Sequence, residues 1–197
     1  MKTWGEIKNE ALGLMFSNVN GSTKVPTSNA DVQEYVINMA DAANYAIRDL
    51  STAVPILKYF SYSQKGQDAD GVMRQELKYL TGDYRAAADE TEEMLAAGVR
   101  VSGGYLITPK RGEIRVEIPY YAYAESVTAE TDDAFQIDML PECEDLIPIY
   151  MASRLYMEDD VQLATMYRNQ YEAKKAELAA NADLGKSGKF ISVTGWW

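Results

Sequence analysis

The residues that could do chemistry are few, and their spacing does not suit them to it. Gly185-Lys186-Ser187 has the look of the end of a phosphate loop, where amides and a lysine cradle phosphates. The glycine such a loop needs five positions earlier is Ala180, and no strand-to-helix context surrounds it. Asp68-Ala69-Asp70-Gly71 resembles half of a calcium loop, but its first and twelfth ligand positions would be Gly66 and Leu77. A calcium loop closes on a carboxylate there, so a turn is the simpler reading. Glu142, Glu144 and Asp145 could offer oxygen ligands to a divalent cation. Behind Pro141 they read more simply as the negative first turn of a helix. Cys143 stands among these acids without a base, which raises a thiol pKa instead of activating it.

Histidine is absent from all 197 residues. That removes the commonest general acid–base and every Ser/His or Cys/His nucleophilic arrangement. Thirty acids leave paired-carboxylate glycoside hydrolysis open in principle, yet no spacing singles out a pair. Tyr120-Tyr121-Ala122-Tyr123 is dense in aromatics; cross-strand packing is the simpler reading and a sugar-binding platform the other. The expectation is a protein that is not an enzyme, with no catalytic residue, metal or cofactor.

Charge narrows the partners. The net charge is −11, and from Val116 to Ser153 there is no Lys or Arg against nine acids. Nucleic-acid binding draws its free energy from basic side chains that release counterions, so this surface repels DNA and RNA. It is either a plain solvated acidic face or one kept negative so that a polyanion slides past. The apolar runs fall short of the roughly 20 residues that span a bilayer. The start of the chain lacks a signal peptide's apolar core, and one cysteine cannot build a disulfide framework. Synthesis in a cytoplasm is the expectation.

The elements follow from periodicity. Thr3-Trp4-Gly5-Glu6 is a capping box that predicts a helix to about Phe16, with Ile7, Ala11, Leu14 and Met15 inward. Asn18 to Asn29 reads as a loop. Ala30 to Ser51 carries a sustained helical stripe through Val32, Tyr35, Val36, Met39, Ala43, Ala46, Ile47 and Leu50, ended by Pro55. From Ile56 the rhythm shortens, with apolar clusters at Leu57, Tyr59 and Phe60 and at Leu77, Tyr79 and Leu80. Residues 99–101, 105–108 and 114–123 read as strands, with Lys110-Arg111-Gly112 suited to a hairpin turn. Ala86 to Ala97 is ambiguous, with a short helix as one reading.

Pro141 to Glu172 then predicts two helices joined at Glu158-Asp159-Asp160. The first is apolar on more than one face, with Leu146, Ile149, Tyr150 and Met157 on one side and Ile147, Met151 and Leu155 on another. Such a helix is buried between several neighbours. The second has a single stripe, Leu163, Tyr167, Tyr171 and Leu178. Gly185 reads as a stop, followed by an extended arm with Lys186, Lys189, Phe190, Ile191, Trp196 and Trp197. Paired terminal indoles suit docking on a partner, since Trp is a favoured anchor.

Met39-Ala40-Asp41-Ala42-Ala43-Asn44-Tyr45-Ala46-Ile47-Arg48-Asp49-Leu50 and the stretch from Glu144 through Leu146-Ile147-Pro148 to Tyr167-Arg168-Asn169-Gln170-Tyr171-Glu172 resemble the head–tail connector (adaptor) proteins of long-tailed bacteriophages. The likeness rests on a LIP-xYxAS-xLY-xxDD-xxxATxYRNxYE pattern, with strand elements around Tyr121 and Ile137, and covers about half the chain. What the resemblance implies is a helical bundle core, and about twelve copies in a closed ring. That ring would lie beneath the portal protein and extend the DNA channel toward a stopper or tail-completion protein. It also implies that a C-terminal segment docks on the portal.

The resulting expectation is α+β, mainly α. A discontinuous helical bundle core takes residues 1–54 and 139–184. A small antiparallel β insertion takes residues 55–138, and a C-terminal docking arm residues 185–197. Lys186, Lys189, Phe190, Ile191, Trp196 and Trp197 are the expected portal contacts. Leu146, Ile147, Tyr150, Met151, Leu155, Tyr167 and Tyr171 are the expected packing positions between subunits. Partners would be further copies, the portal, and a stopper or tail-completion protein, with packaged DNA passing through unbound and no membrane. The place would be the neck of the virion, assembled in a host cytoplasm. The alternative is a cytoplasmic non-enzymatic binding module whose Tyr-rich β insertion takes a glycan or peptide.

Overall fold

The computed structural model describes residues 1–16, 30–67 and 70–186. The chain divides into two compact units, Met1–Val54 with Ser126–Trp197, and Pro55–Glu125. The fold is α+β with helix predominating, as expected.

The first unit is helical. Helix α1 (Trp4–Met15) begins at the predicted capping box, where Thr3 accepts from the Glu6 amide and Glu6 accepts from the Thr3 amide. Ile7, Ala11 and Met15 face inward as predicted, joined by Trp4 and Leu12. Helix α2 (Ala30–Ala53) buries Val32, Met39, Ala43, Ala46, Ile47 and Leu50 from its predicted stripe. Tyr35 and Val36 are only half-buried. After α5 (Pro141–Glu144) comes α6 (Ile147–Leu155), which packs against α1, α2 and α7 (Val161–Lys186). Contact on so many sides explains why every residue from Ile147 to Ser153 is buried. The acidic elbow falls where predicted: Asp160 accepts from the Gln162 and Leu163 amides, capping α7.

Four expectations need correction here. Residues 126–138 belong with the helices and not with the β insertion. The Trp4 amide donates to the Phe135 carbonyl at 2.7 Å, the Gly5 amide donates to the Asp133 carbonyl at 2.9 Å, and Thr3 pairs with Gln136. A Cβ at position 5 would sit 3.0 Å from Asp133 Cβ, so this strap needs glycine there. The Asn44 side chain completes the tie, donating to the Val127 carbonyl and accepting from its amide. Second, Gly185 does not stop the last helix; α7 runs to Lys186. Third, Met157 lies beyond α6 and is 52% exposed. Fourth, the buried stripe of α7 is Ala164, Tyr167 and Tyr171, with Leu163 one step off it and exposed.

The second unit holds two three-stranded antiparallel sheets. One is ordered β1 (Ile56–Gln64), β6 (Ile114–Ala122), β3 (Tyr84–Ala87); the other β2 (Val72–Glu76), β5 (Tyr105–Pro109), β4 (Arg100–Ser102). Short helices α3 (Leu77–Thr81) and α4 (Glu92–Ala96) lie between strands. Thus residues 86–97 are the end of a strand and then a helical turn. Tyr62, Val116 and Ile118 of the first sheet and Leu106 of the second share a core with Leu77 and Met94 from the two helices.

Lys110-Arg111-Gly112 is a turn, but no hairpin. It leads from β5 in one sheet to β6 in the other, because β6 finds its partners in β1 and β3. Pro119, in the middle of a central strand, is tolerated because β3 pairs only with residues 120–122.

Candidate functional site

Most of the expected packing positions are used inside the chain itself. Leu146, Ile147, Tyr150, Met151, Tyr167 and Tyr171 are all buried in the helical unit's own core, and Leu155 is half-buried. The multi-faced apolarity of α6 serves α1, α2 and α7, and only Leu155 at its end keeps part of its side chain uncovered among these positions. Tyr167 donates to the Leu14 carbonyl at 2.7 Å, fixing α7 to the end of α1. Tyr171 meets Tyr150 edge-on at 4.9 Å and donates to Asp49 Oδ2 at 2.7 Å, where Lys175 Nζ also donates at 2.8 Å. Burial first, then the bond to Asp49, holds the Tyr171 phenol far above its ordinary value.

The expected arm falls largely outside the described residues. Lys189, Phe190, Ile191, Trp196 and Trp197 lie there; Lys186 is the last residue of α7. The loop expected at Asn18 to Asn29 also lies outside them.

Candidate chemistry fares no better. Cys143 is buried, and desolvation, then Glu142 and Glu144, pushes its thiol up to about 11. Glu144 turns inward and accepts from the Lys2 amide at 2.6 Å. Among the described residues, no group of three or more His, Cys, Asp or Glu could hold a metal ion. No described helix is long and apolar enough to cross a membrane. The tyrosine cluster is no open platform: Tyr120 is buried and donates to Asp83 at 2.9 Å, and Arg85 lies over the Tyr121 ring. Exposed tyrosines of this unit are Tyr59, Tyr79 and Tyr105.

What sequence reading missed is a cleft of about 660 Å³ between α2 and the end of α6. One side is a polar and aromatic face of α2 at helical spacing, Glu34, Asn38, Asp41 and Tyr45; the other is Arg154 and Leu155 at the end of α6 with Met157, Glu158 and Asp159 of the elbow. Ala42 and Leu155 give it an apolar floor. Tyr45, about half exposed, carries the Arg154 guanidinium 4.0 Å from its ring centre. Tyr35 donates to Asp159 on the elbow; that bond, then burial, pushes its phenol up to about 12. Behind it Tyr35 stacks with Tyr156 at 6.2 Å and meets Phe16 edge-on at 5.6 Å. Four carboxylates, Glu34, Asp41, Glu158 and Asp159, surround the opening against the single guanidinium of Arg154. The cleft therefore suits a ligand that is cationic and partly apolar.

Outside the cleft, apolar side chains stay in solvent at Ile37 on α2 and at Val161, Leu163 and Met166 on the first turns of α7. Of the nine acids between Val116 and Ser153, all but Glu144 are exposed, and Lys2 and Lys8 reach Asp145 and Asp133. No family model matches the chain, and no curated protein matches it.

Proposed function

We propose that this protein is a structural subunit, a head-to-tail adaptor of a phage neck, whose copies form a ring below the portal and carry the DNA channel toward a stopper or tail-completion protein. The observation that carries the reading is the apolar surface left over after the helical core is filled. Ile37, Tyr45, Met157, Val161 and Met166, on α2, the elbow and the first turns of α7, are each half exposed or more, and apolar side chains left in solvent are area that a second copy can bury. The likeness of residues 39–50 and 144–172 to connector proteins supports the same reading, and so does an acidic surface that DNA passes without adhering. The site of action is then the virion neck, after assembly in the host cytoplasm. The segment from Lys186 to Trp197 is the arm that reaches the portal.

The test is the mass of the protein in solution, alone and with its cognate portal protein. Rings of about twelve copies, formed alone or only on the portal, are expected; a protein that stays monomeric beside that portal sinks the reading. Deleting Gly185 to Trp197 abolishes portal attachment and leaves the helical content otherwise intact. A second reading, a binding module for a glycan or peptide, is favoured by exposed Tyr59, Tyr79 and Tyr105. A glycan and peptide array separates the two, since an adaptor gives no specific hit.

A further inference from the structure

We infer that the cleft between α2 and α6 receives the basic segment Lys186–Phe190 of a second copy of this chain, so that copies join head to tail. The inference rests on the ring reading for closure of the assembly, but the contact itself follows from charge and reach. The cleft opening is acidic and its floor apolar, as Glu34, Asp41, Ala42, Leu155 and Glu158 show. From Gly185 to Trp197 the chain has Lys186 and Lys189, no acid, and Phe190 directly after. Charge and apolar character are thus complementary between two parts of one sequence.

Reach decides which copy supplies the segment. The acidic elbow Glu158–Asp159 lies at the N-terminal end of α7, and Lys186 at its other end. Twenty-six helical residues at ~1.5 Å each put these ends about 39 Å apart. Lys189 is three residues beyond Lys186, so even full extension at ~3.5 Å per residue carries it only about 10 Å. It cannot return to the elbow of its own chain. A neighbour's cleft is open to it, and a contact joining two different surfaces repeats around a ring or along a filament. The portal contact then narrows to the far part of the same arm, Ile191, Trp196 and Trp197, and no longer includes Lys186, Lys189 and Phe190.

The experiment is a charge exchange on the full chain, read as sedimentation mass against concentration at low salt. One variant carries Asp41→Lys and Glu158→Lys, both exposed positions that leave the Tyr35–Asp159 bond alone. The other carries Lys186→Glu and Lys189→Glu. The wild-type chain should associate, more weakly as salt rises. Each variant alone should lose at least about tenfold in association through like-charge contact. Mixed in equal amounts they should recover it, because in an alternating assembly every cleft meets a segment of opposite charge. Circular dichroism matching wild type guards against misfolding.

Variants that associate as well as wild type overturn the inference, as does failure of the mixture to recover. A wild-type chain that stays monomeric at all concentrations overturns it too, yet leaves the adaptor reading standing if the portal then gathers a ring. Recovery in the mixture without any portal binding supports the contact and removes the neck.

Discussion

Replacing Tyr171 with Phe isolates one hydroxyl that joins α2 to α7. The ring is fully buried, and Phe keeps its edge contact with Tyr150 at 4.9 Å. What disappears is the bond to Asp49 Oδ2 at 2.7 Å, an oxygen that Lys175 still reaches at 2.8 Å. A hydrogen bond to a charged group contributes ~1.5–3 kcal/mol. Asp49 is 38% exposed, so water replaces part of the lost donor. With Lys175 still in place, the loss falls at about 1–2 kcal/mol. For a chain of this size that lowers Tm by about 3–6 °C at pH 7, read by circular dichroism.

The same substitution in an Asp49→Asn background should cost about half as much, because the charge assisting the bond has gone. The pH profile gives a second readout. Burial alone would raise the Asp49 carboxyl, but the bonds from Lys175 and Tyr171 outweigh it and hold the group below its ordinary value. A depressed folded pKa contributes stability that is complete above the unfolded value of ~3.9 and is lost as pH falls through the folded one. Tyr171 works in the other direction: its contribution stands below ~10 and declines as pH rises past that value. Tyr171→Phe therefore removes the alkaline decline of this group and softens the acid one. Equal Tm losses in the wild-type and Asp49→Asn backgrounds, with an unchanged alkaline limb, would refute the clamp.

Three further outcomes follow from the packing. Met151→Ala, at the fully buried centre of α6, should cost ~2–5 kcal/mol in urea unfolding, and a loss under about 1 kcal/mol contradicts the central place of that helix. Gly66→Ala puts a Cβ 2.8 Å from the Gly112 amide nitrogen, so the turn must shift at a cost of ~1–3 kcal/mol. Faster limited proteolysis within residues 55–125 is the sign to look for. Cys143 should resist a thiol reagent at pH 8 in the native protein and react at once in denaturant; rapid native labelling contradicts its burial.

The long helices were legible because their stripes are clean, and α6 was legible as a helix buried on several sides. Its neighbours were not: apolarity records that a face is covered, not whose residues cover it, and here α1, α2 and α7 do so. Strand β1 was missed because its pattern is blurred. Lys58 and Gln64 stand on the core-facing side, where Lys58 pairs with Asp83 and Gln64 bonds Thr108, while Leu57 and Tyr59 point outward. The strap at residues 126–138 is tied by backbone pairing and by one asparagine, which leave no hydrophobic period to read. The cleft was illegible for a related reason, since it is formed only where the end of α6 and the elbow come to lie against a face of α2. Only Asp41 and Tyr45, polar and aromatic on the outer face of α2, hinted at it.

The pairing of β1 with β6 sets Ile56 directly opposite Ala122, so the second unit is entered and left at neighbouring points. Left as loose chain, its roughly seventy residues would cost the helical unit about 4 kcal/mol of entropy to bring residues 54 and 126 together. The β1–β6 ladder meets that cost itself. To the helices, a whole folded unit then behaves like a short turn. A nascent chain can complete that turn while α6 and α7 are still on the ribosome, and excising it in favour of a few residues should leave the bundle able to fold.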